Sequence, residues 1–188
     1  DQAKFEVCGH KWADLSEGSY GVSLMNDCKY GYSMKDRVMT QTLIKSGTEP
    51  NLTADQEEHS FTYSLYPHAG TWREAGTVQE ALNLNVPAKA VFGAAEKDRM
   101  EFLSADKRNV VLETVKKAED GDGMIVRLYE VENARTKVTL HCAESILSAE
   151  ETNLLEQPAD GAIDVKENEI SLTIKPYEIR TIRIRTEK

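Results

Sequence analysis

The side chains best suited to chemistry fall in two short clusters. The segment NDCKYGY, residues 26–32, places Asp27, Lys29 and Tyr30 behind an apolar run, and YPHAGTWREAG, residues 66–76, contains His68 and Trp72. Carboxylates bind hydroxyl groups, and an aromatic ring covers the apolar face of a sugar. These residue types predict a polyol-binding site. Turns held by Asx hydrogen bonds and a core tryptophan explain both clusters equally well.

Motifs for metal binding and nucleophilic catalysis are missing from the sequence. No two histidines stand four residues apart, and Cys8 with His10 offers two ligands where a zinc site needs three or four. GxSxG and phosphate-binding glycine loops do not occur, and Cys28 is interpreted as a small buried residue. Several carboxylates could serve as a glycosidase acid/base pair: Asp14, Glu17, Asp27, Asp55, Glu57 and Glu58. The simpler interpretation is that each is a solvated acid in a loop. We therefore predict neither catalytic residues nor metal ligands in this chain.

Size and charge exclude several classes of function. The chain has 188 residues, of which 40% are hydrophobic and 29% charged, enough for one ordinary domain or two small ones. A net charge of −9 opposes binding to nucleic acid or to an anionic membrane, and no apolar run reaches membrane-spanning length. Three widely spaced cysteines, Cys8, Cys28 and Cys142, favour free thiols in a reducing compartment such as the cytoplasm.

Strands dominate the first half of the chain and must position both clusters. YGVSLMND, residues 20–27, is typical of a strand buried on both faces. RVMTQTLIK and HSFTYSLYPH alternate, and Pro67 is expected to end the second of these strands. One short helix is predicted in GTVQEALNLN, with Thr77 as its cap. The polar clusters then follow strand ends, where sheet proteins usually carry binding groups.

From about residue 101 the pattern becomes one of hairpins. VVLETVKKA and MIVRLYEVEN flank the turn EDGDG, KVTLHCAE alternates, and ISLTIKPYEIRTIRIRT contains two strands around a Pro-Tyr-Glu corner. Strands at this spacing predict a β-sandwich. We therefore expect an all-β chain with a β-sandwich region at residues 1–97, a smaller C-terminal β-sandwich at residues 98–188, and one short helix. Because the chain opens on a strand-like segment, the first region is expected to be truncated at its N-terminus.

Four blocks of sequence resemble the C-terminal β region of glycoside hydrolase family 38 α-mannosidases, in particular their cytosolic and bacterial branch. The blocks are WADLSE, YGVSLMNDCKYGY, ADQEEH and FTYSLYPH, in this order and at matching spacing. The closing segments NLLEQ and ISLTIKPYEIRTIRI are also similar to the last strands of the family. The resemblance therefore extends over nearly the whole chain.

The resemblance implies an enzyme that hydrolyses terminal α-mannosidic linkages with retention, using a carboxylate nucleophile and a zinc ion that grips sugar hydroxyls. In the family these groups lie in an N-terminal catalytic barrel, and the β domains that follow form a super-sandwich-like region. This chain is thus expected to be a non-catalytic fragment, inactive alone and without a cofactor, whose partners are its own catalytic domain and, through the full-length enzyme, α-mannosides.

The resemblance also implies roles for individual residues, because loops of the family's β region reach the sugar cleft. The predicted substrate-binding residues are Asp27, Lys29, Tyr30, Lys45, Asp55 and His68. Lys45 stands where relatives commonly have arginine, so it keeps the charge but loses the bidentate fork. Two alternatives stay open: a freestanding carbohydrate-binding or interaction β-sandwich, and a structural module whose polar clusters only hold turns.

Overall fold

Antiparallel strands provide almost all regular structure in the computed structural model, which describes residues 5–94 and 97–187. The strands form four sheets, and the all-β fold predicted from alternation is confirmed. The chain separates into an N-terminal unit, residues 1–92, and a C-terminal unit, residues 93–188. The division between residues 97 and 98 stays a prediction. No helix among the described residues is long and apolar enough to cross a membrane.

The N-terminal unit contains two three-stranded sheets and one helix. Its elements are β1 (Val7–Cys8), β2 (Trp12–Ser16), β3 (Tyr20–Asn26), β4 (Gly31–Lys35), β5 (Val38–Thr42), β6 (Tyr63–Ala69) and α1 (Thr77–Asn85). One sheet has the strand order β2-β3-β6 and the other the order β1-β4-β5. Helix α1 packs against β2 and β3, and therefore covers one face of the first sheet.

Two local predictions in this unit are wrong. Pro67 lies inside β6, opposite Val22, because β6 is an edge strand, where a residue without an N–H group is tolerated. Thr77 is the first residue of α1, and the N-cap position belongs to Gly76, whose φ of 68° suits glycine. The Thr77 hydroxyl instead lies 2.9 Å from Ser23 Oγ, so the first residue of the helix attaches it to β3.

One face of the β2-β3-β6 sheet is apolar and open to solvent. On the face towards α1, Gly21, Ser23 and Met25 of β3 are buried. Apart from Asn26 at the end of β3, the strand register places apolar side chains on the opposite face, which we call the apolar face: Ala13, Leu15, Tyr20, Val22, Leu24, Tyr63, Leu65, Pro67 and Ala69. Tyr63 is 58% exposed and Leu65 is 65% exposed. The segment YGVSLMND thus has the composition of a doubly buried strand, yet the described residues fully cover only one of its faces.

The C-terminal unit is a closed two-sheet sandwich. Its strands are β7 (Leu103–Ala105), β8 (Val110–Lys117), β9 (Met124–Glu130), β10 (Thr136–Cys142), β11 (Ile146–Thr152), β12 (Asp164–Lys166), β13 (Glu169–Ile174) and β14 (Ile179–Thr186). The sheets have the orders β12-β13-β10-β7 and β11-β14-β9-β8. Their inner faces bury one shared core, which includes Val126, Leu128, Val138, Leu140, Ile170, Ile174, Ile182 and Ile184 at 0% exposure. The outer face of the first sheet carries polar pairs such as Thr139 with Ser171, so this unit leaves no comparable apolar face on that sheet.

The turn between β8 and β9 neutralises two arginines of β14. Gly121 and Gly123 have φ of 81° and 85°, a backbone conformation that glycine adopts readily. Arg183, only 6% exposed, donates from Nη1 to Asp120 Oδ2 at 2.6 Å, and Arg185 Nε donates to Asp122 Oδ2 at 2.9 Å. The two aspartates of EDGDG are therefore paired with arginine, and Glu119 accepts a hydrogen bond from Lys116 Nζ.

Glu130 is a buried carboxylate, 1% exposed, at the end of β9. Its Oε1 accepts hydrogen bonds from Asn109 Nδ2 at 2.9 Å and from Glu132 N at 2.7 Å, and its Oε2 accepts one from Tyr177 N at 3.0 Å. Burial alone raises the pKa of this carboxyl, but the donors, Tyr177 N foremost, outweigh burial and hold the pKa below its ordinary value. Glu130 is therefore ionised at neutral pH.

We expect Glu130 to contribute to acid sensitivity of the C-terminal unit. A carboxyl with a lowered folded-state pKa stabilises the fold above its unfolded-state pKa, and this contribution is lost as the pH falls through the folded-state value. Urea unfolding of the wild type and of Glu130→Gln, from neutral pH to about pH 3, should show that the difference in stability shrinks towards acid. Glu167→Gln removes an exposed carboxyl of the same unit and should shift stability little at any pH. A Glu130→Gln effect that stays constant with pH would contradict the prediction.

Candidate functional site

The loop of residues 27–30, between β3 and β4, is held from beneath by Asn26, which is 1% exposed. Asn26 Oδ1 accepts a hydrogen bond from Lys29 N at 2.7 Å, and Asn26 Nδ2 donates to the Tyr32 hydroxyl. The Asn26 carbonyl accepts from Asn85 Nδ2 at 3.0 Å, which ties the loop to the end of α1. An Asx hydrogen bond of this kind fixes the loop backbone, so its side chains project from a firm support.

Asp27 joins this loop to the segment before β6. Its Oδ1 accepts a hydrogen bond from Thr62 N at 3.0 Å, and its N–H donates to Thr62 O at 3.2 Å. The hydrogen bond from Thr62 N lowers the pKa of Asp27, so at neutral pH the carboxylate is ionised and can only accept. Cys28 beside it is exposed, so its predicted burial is wrong. A hydrogen bond with Asp27 raises the pKa of the Cys28 thiol, which makes it a poor nucleophile.

Lys29 and Tyr30 place a cation and an aromatic ring beside Asp27. Lys29 Nζ lies 4.8 Å from the centroid of the Phe61 ring. Tyr30, 51% exposed, packs edge-on against His10, with the ring centroids 4.9 Å apart. The structure thus brings three of the predicted site residues together in one loop and adds two aromatic neighbours that sequence reasoning missed.

This group of side chains can bind a neutral polyhydroxylated ligand. A carboxylate accepts hydrogen bonds from hydroxyl groups, an ammonium group donates to them, and aromatic rings cover the C–H face of a sugar. Cleavage of a glycosidic bond requires two carboxyl groups placed across that bond. The 27–30 loop carries one, Asp27.

Tyr32 supports the loop from within the fold and is 1% exposed. Its hydroxyl oxygen accepts a hydrogen bond from Gln41 Nε2 at 3.3 Å in addition to the one from Asn26. Burial raises the pKa of Tyr32. The buried phenol therefore stays neutral and joins β4, β5 and the end of β3.

Lys45 and Asp55 both lie between β5 and β6, in a long connection that contains no strand. Lys45 is exposed, and Asp55 occupies a turn with φ of 57°, where its carbonyl accepts a hydrogen bond from His59 Nε2 at 2.9 Å. Neither side chain forms a hydrogen bond or ion pair within the described part of the chain. Their contact with substrate stays a prediction.

His68 is buried near the far end of β6. Its Nε2 lies 2.8 Å from Asp14 Oδ2, and the two side chains are 2% and 4% exposed. The same carboxylate oxygen accepts from Ser23 Oγ at 2.8 Å, and Ser23 Oγ in turn meets Thr77 Oγ1. The cluster of Asp14, Ser23, His68 and Thr77 therefore links three strands to α1. His68 Nδ1 is buried and lacks a hydrogen-bond partner among the described residues.

The His68 cluster contains the residue types of a catalytic triad in the wrong arrangement. Serine must give its proton to histidine in a triad, but Ser23 Oγ donates to Asp14. The cluster also lies apart from the 27–30 loop. His68 pairs with Gly21, whereas the loop follows Asn26, and roughly 17 Å of strand separates the two positions. The structure therefore does not bring His68 together with Asp27, Lys29 and Tyr30.

Gly21 leaves room for the His68 ring. A Cβ atom added there would lie 2.8 Å from His68 Nε2 and closer still to Cε1. We expect Gly21→Ala to displace the ring from Asp14 and to lower the free energy of unfolding by about 1–3 kcal/mol.

Tryptophan fluorescence can follow unfolding of the N-terminal unit, because Trp12 and Trp72 stack there with centroids 5.0 Å apart. Gly18→Ala is the matched control, since a Cβ at Gly18 meets no heavy atom within 4 Å. Its effect should stay within about 0.5 kcal/mol. Equal unfolding midpoints for the two variants would contradict the role assigned to Gly21.

Residues 5–94 and 97–187 contain no group of three or more His, Cys, Asp or Glu side chains that could hold a metal ion. Cys8 Sγ lies 3.6 Å from His10 Nε2, but no third ligand joins them within those ranges. This donor set does not fit zinc, and we assign no chemical step to a metal in this part of the chain.

Two family models match the sequence. The model described as "Glycosyl hydrolases family 38 C-terminal domain" matches residues 1–53, which include the 27–30 loop. The model described as "Glycosyl hydrolases family 38 C-terminal beta sandwich domain" matches residues 109–182, which include most of the C-terminal sandwich.

Individual relatives match over nearly the whole chain. Alpha-mannosidase G of Dictyostelium discoideum is 39% identical over 193 residues, which cover 97% of this chain and 18% of that protein. Alpha-mannosidase 2C1 of Homo sapiens is 36% identical over 188 residues, with the same two coverages. The chain therefore spans less than a fifth of the length of these relatives.

Solved structures share the fold. A protein of glycosyl hydrolase family 38 from Enterococcus faecalis aligns with a TM-score of 0.74 and 21% identity, covering 96% of this chain and 22% of that one. An alpha-mannosidase from Enterococcus faecalis V583 aligns with a TM-score of 0.73, also at 21% identity.

Proposed function

We propose that this chain, which belongs to the C-terminal region of glycosyl hydrolase family 38, acts as a non-catalytic part of a longer α-mannosidase. In that enzyme it supports the catalytic domain and borders the substrate cleft, and the enzyme hydrolyses terminal α-mannosidic linkages with retention. The names of the relatives support the substrate class, and the free cysteines Cys8, Cys28 and Cys142 support a cytoplasmic location.

The apolar face of the N-terminal unit carries this proposal. Burying a large apolar side chain is worth roughly 1.5–3 kcal/mol, and this face leaves Tyr20, Tyr63 and Leu65 more than half exposed. Contiguous exposed apolar surface of this kind marks a site of contact. The relatives extend far beyond the matched region, and the proposed cover is the part of the longer enzyme that corresponds to it.

The 27–30 loop is the proposed border of the cleft. Asp27, Lys29 and Tyr30 combine a carboxylate, a cation and an exposed ring on a backbone that Asn26 fixes. Lys45 and Asp55, both exposed, are proposed as further contacts. Because His68 is buried against Asp14, we propose that it acts on the substrate region by holding β6 and α1 in place.

Zinc, in this proposal, is held by residues of the longer enzyme outside this chain, where it would bind sugar hydroxyls and stabilise developing charge. The described residues supply no ligand cluster for it.

Activity assays test the proposal. The isolated chain is expected to leave an aryl α-mannoside intact, and the longer enzyme is expected to cleave it. In the longer enzyme, Asp27→Ala and Tyr30→Ala should each lower kcat/KM by about tenfold through lost contacts to the sugar. Lys35→Ala, at the exposed last residue of β4, is the control and should leave kcat/KM unchanged. Zinc-dependent turnover by the isolated chain would contradict the proposal. If Asp27→Ala and Tyr30→Ala lowered stability but left kcat/KM unchanged, the loop would have a structural role and no contact with the substrate.

A further inference from the structure

The C-terminal unit contains an open groove of about 650 Å³. Its sides come from β10, from β13, and from the loop of residues 160–163 that leads into β12. Its floor includes Glu151 of β11 and Arg180 of β14. A cavity of this size is typical of sites for small organic ligands.

The charges at the floor of the groove neutralise each other. Arg180 donates to both carboxylate oxygens of Glu151, and the two side chains are 10% and 9% exposed. Arg180 Nη1 also donates to Thr173 O at 2.8 Å, which joins the two sheets. Gly161 lies so close to Glu151 that an added Cβ would come within 2.7 Å of Oε2. The loop of residues 160–163 therefore packs directly on the ion pair.

Four charged side chains on the walls of the groove have no polar partner among the described residues. Arg135, Lys137, Asp160 and Asp164 make no side-chain hydrogen bond or ion pair with any residue that the structure describes. The cations lie at β10, Asp164 lies on β12 at the other side of β13, and Asp160 lies in the loop before β12. Ile179, 59% exposed, and Ile163 add apolar surface to the same groove.

We propose that this groove binds a neutral saccharide. A hydroxyl group both donates and accepts hydrogen bonds, so vicinal hydroxyls can bind the carboxylates of one wall and the cations of the other. The C–H face of the sugar ring packs on the isoleucines. A free anion would lie against Asp160 and Asp164, and a free cation against Arg135 and Lys137, so either is disfavoured by like charge. This binding does not depend on the function proposed above, because nothing in that function assigns a ligand to the C-terminal unit.

An NMR titration of the isolated 188-residue chain tests the groove, because it reports binding residue by residue. The probes are methyl α-mannoside and methyl α-glucoside, with inorganic phosphate and methylammonium as charged controls. We expect saturable shifts of the backbone amides of Gly161, Thr173 and Lys175 with at least one sugar, and smaller shifts with either ion. Lys137→Ala and Asp164→Asn should each weaken sugar binding by about tenfold. Lys166→Ala, on β12 but outside the groove, should leave binding unchanged.

The outcomes separate this inference from the mannosidase proposal. No saturable shift with either sugar, a stronger response to phosphate or methylammonium, or equal affinity in all three variants would each overturn the saccharide groove. None of these results would alter the activity expected of the longer enzyme. Conversely, turnover by the isolated chain would overturn the proposed function and leave the groove standing.

Discussion

Replacing Leu65 by serine is expected to have opposite consequences in the isolated chain and in the longer enzyme. In the isolated chain Leu65 is 65% exposed, so Leu65→Ser should leave stability nearly unchanged and should reduce self-association and binding of apolar dyes. In the longer enzyme the proposed cover buries this side chain. The same substitution then removes apolar contacts and buries a hydroxyl, at a cost of about 3 kcal/mol or more.

Leu147→Ser is the matched control for Leu65→Ser, because Leu147 is 63% exposed but lies in the closed C-terminal unit. Thermal unfolding of the longer enzyme should show a large drop for Leu65→Ser and little change for Leu147→Ser. Sedimentation of the isolated chain should show reduced association for Leu65→Ser alone. Equal thermal shifts for the two variants in the longer enzyme would argue against a buried apolar face.

The second large effect is expected at the ion pair of Arg180 and Glu151. Glu151→Ala leaves the Arg180 guanidinium buried without a counter-charge, which costs about 3–5 kcal/mol. A guanidinium group stays protonated in proteins, so Arg180 cannot escape this cost by losing its proton. The double variant Glu151→Leu with Arg180→Met should recover most of the loss, because it removes both charges.

Hydrogen exchange of the β9 and β14 amides is the measurement for this pair, since both tryptophans lie in the N-terminal unit and their fluorescence reports on that unit. Arg99→Ala breaks an exposed pair with Glu101 and should cost less than about 1 kcal/mol. If Glu151→Ala and Arg99→Ala reduced protection from hydrogen exchange by the same amount, burial would not explain the cost of breaking the Arg180–Glu151 pair. A double variant as unstable as Glu151→Ala would show that the residues act through shape and not charge.

Local pattern was enough to predict much of the C-terminal unit. The strands β13 and β14 flank the predicted Pro-Tyr-Glu corner but belong to different sheets. The hairpin of β8 and β9 is close in sequence, the residues of β8 alternate in burial, and its turn carries glycine. Strand pairing of this kind requires no information from distant residues. Sequence reasoning also grouped Asp27, Lys29 and Tyr30 correctly in one turn, because that turn is contiguous in the chain.

Contacts between distant segments could not be predicted in the same way. Phe61 lies under Lys29 because β3 pairs with β6, a register that no local signal encodes. The burial of His68 depends on Gly21 lying opposite it and on Asp14 one strand further away. Free cysteines are usually buried, which is why burial was predicted for Cys28. Cys28 is exposed because it lies in the loop between β3 and β4.

At the apolar face, the prediction from composition and the described structure differ. The segment YGVSLMND predicted a strand buried on both faces, and the described residues fully cover only one of them. A doubly apolar strand is typical of burial on both faces, and under the proposed function the longer enzyme covers the face that carries Val22 and Leu24.

Carbene footprinting of Tyr63 and Leu65, read by mass spectrometry, tests burial of the apolar face directly. The isolated chain and the longer enzyme are labelled side by side, with the peptide that contains Leu147 as the internal reference. We expect heavy labelling of Tyr63 and Leu65 in the isolated chain and strong protection in the longer enzyme, with equal labelling of the reference. Equal labelling of Tyr63 and Leu65 in the two proteins would show that nothing covers this face, and would contradict the role proposed for the chain.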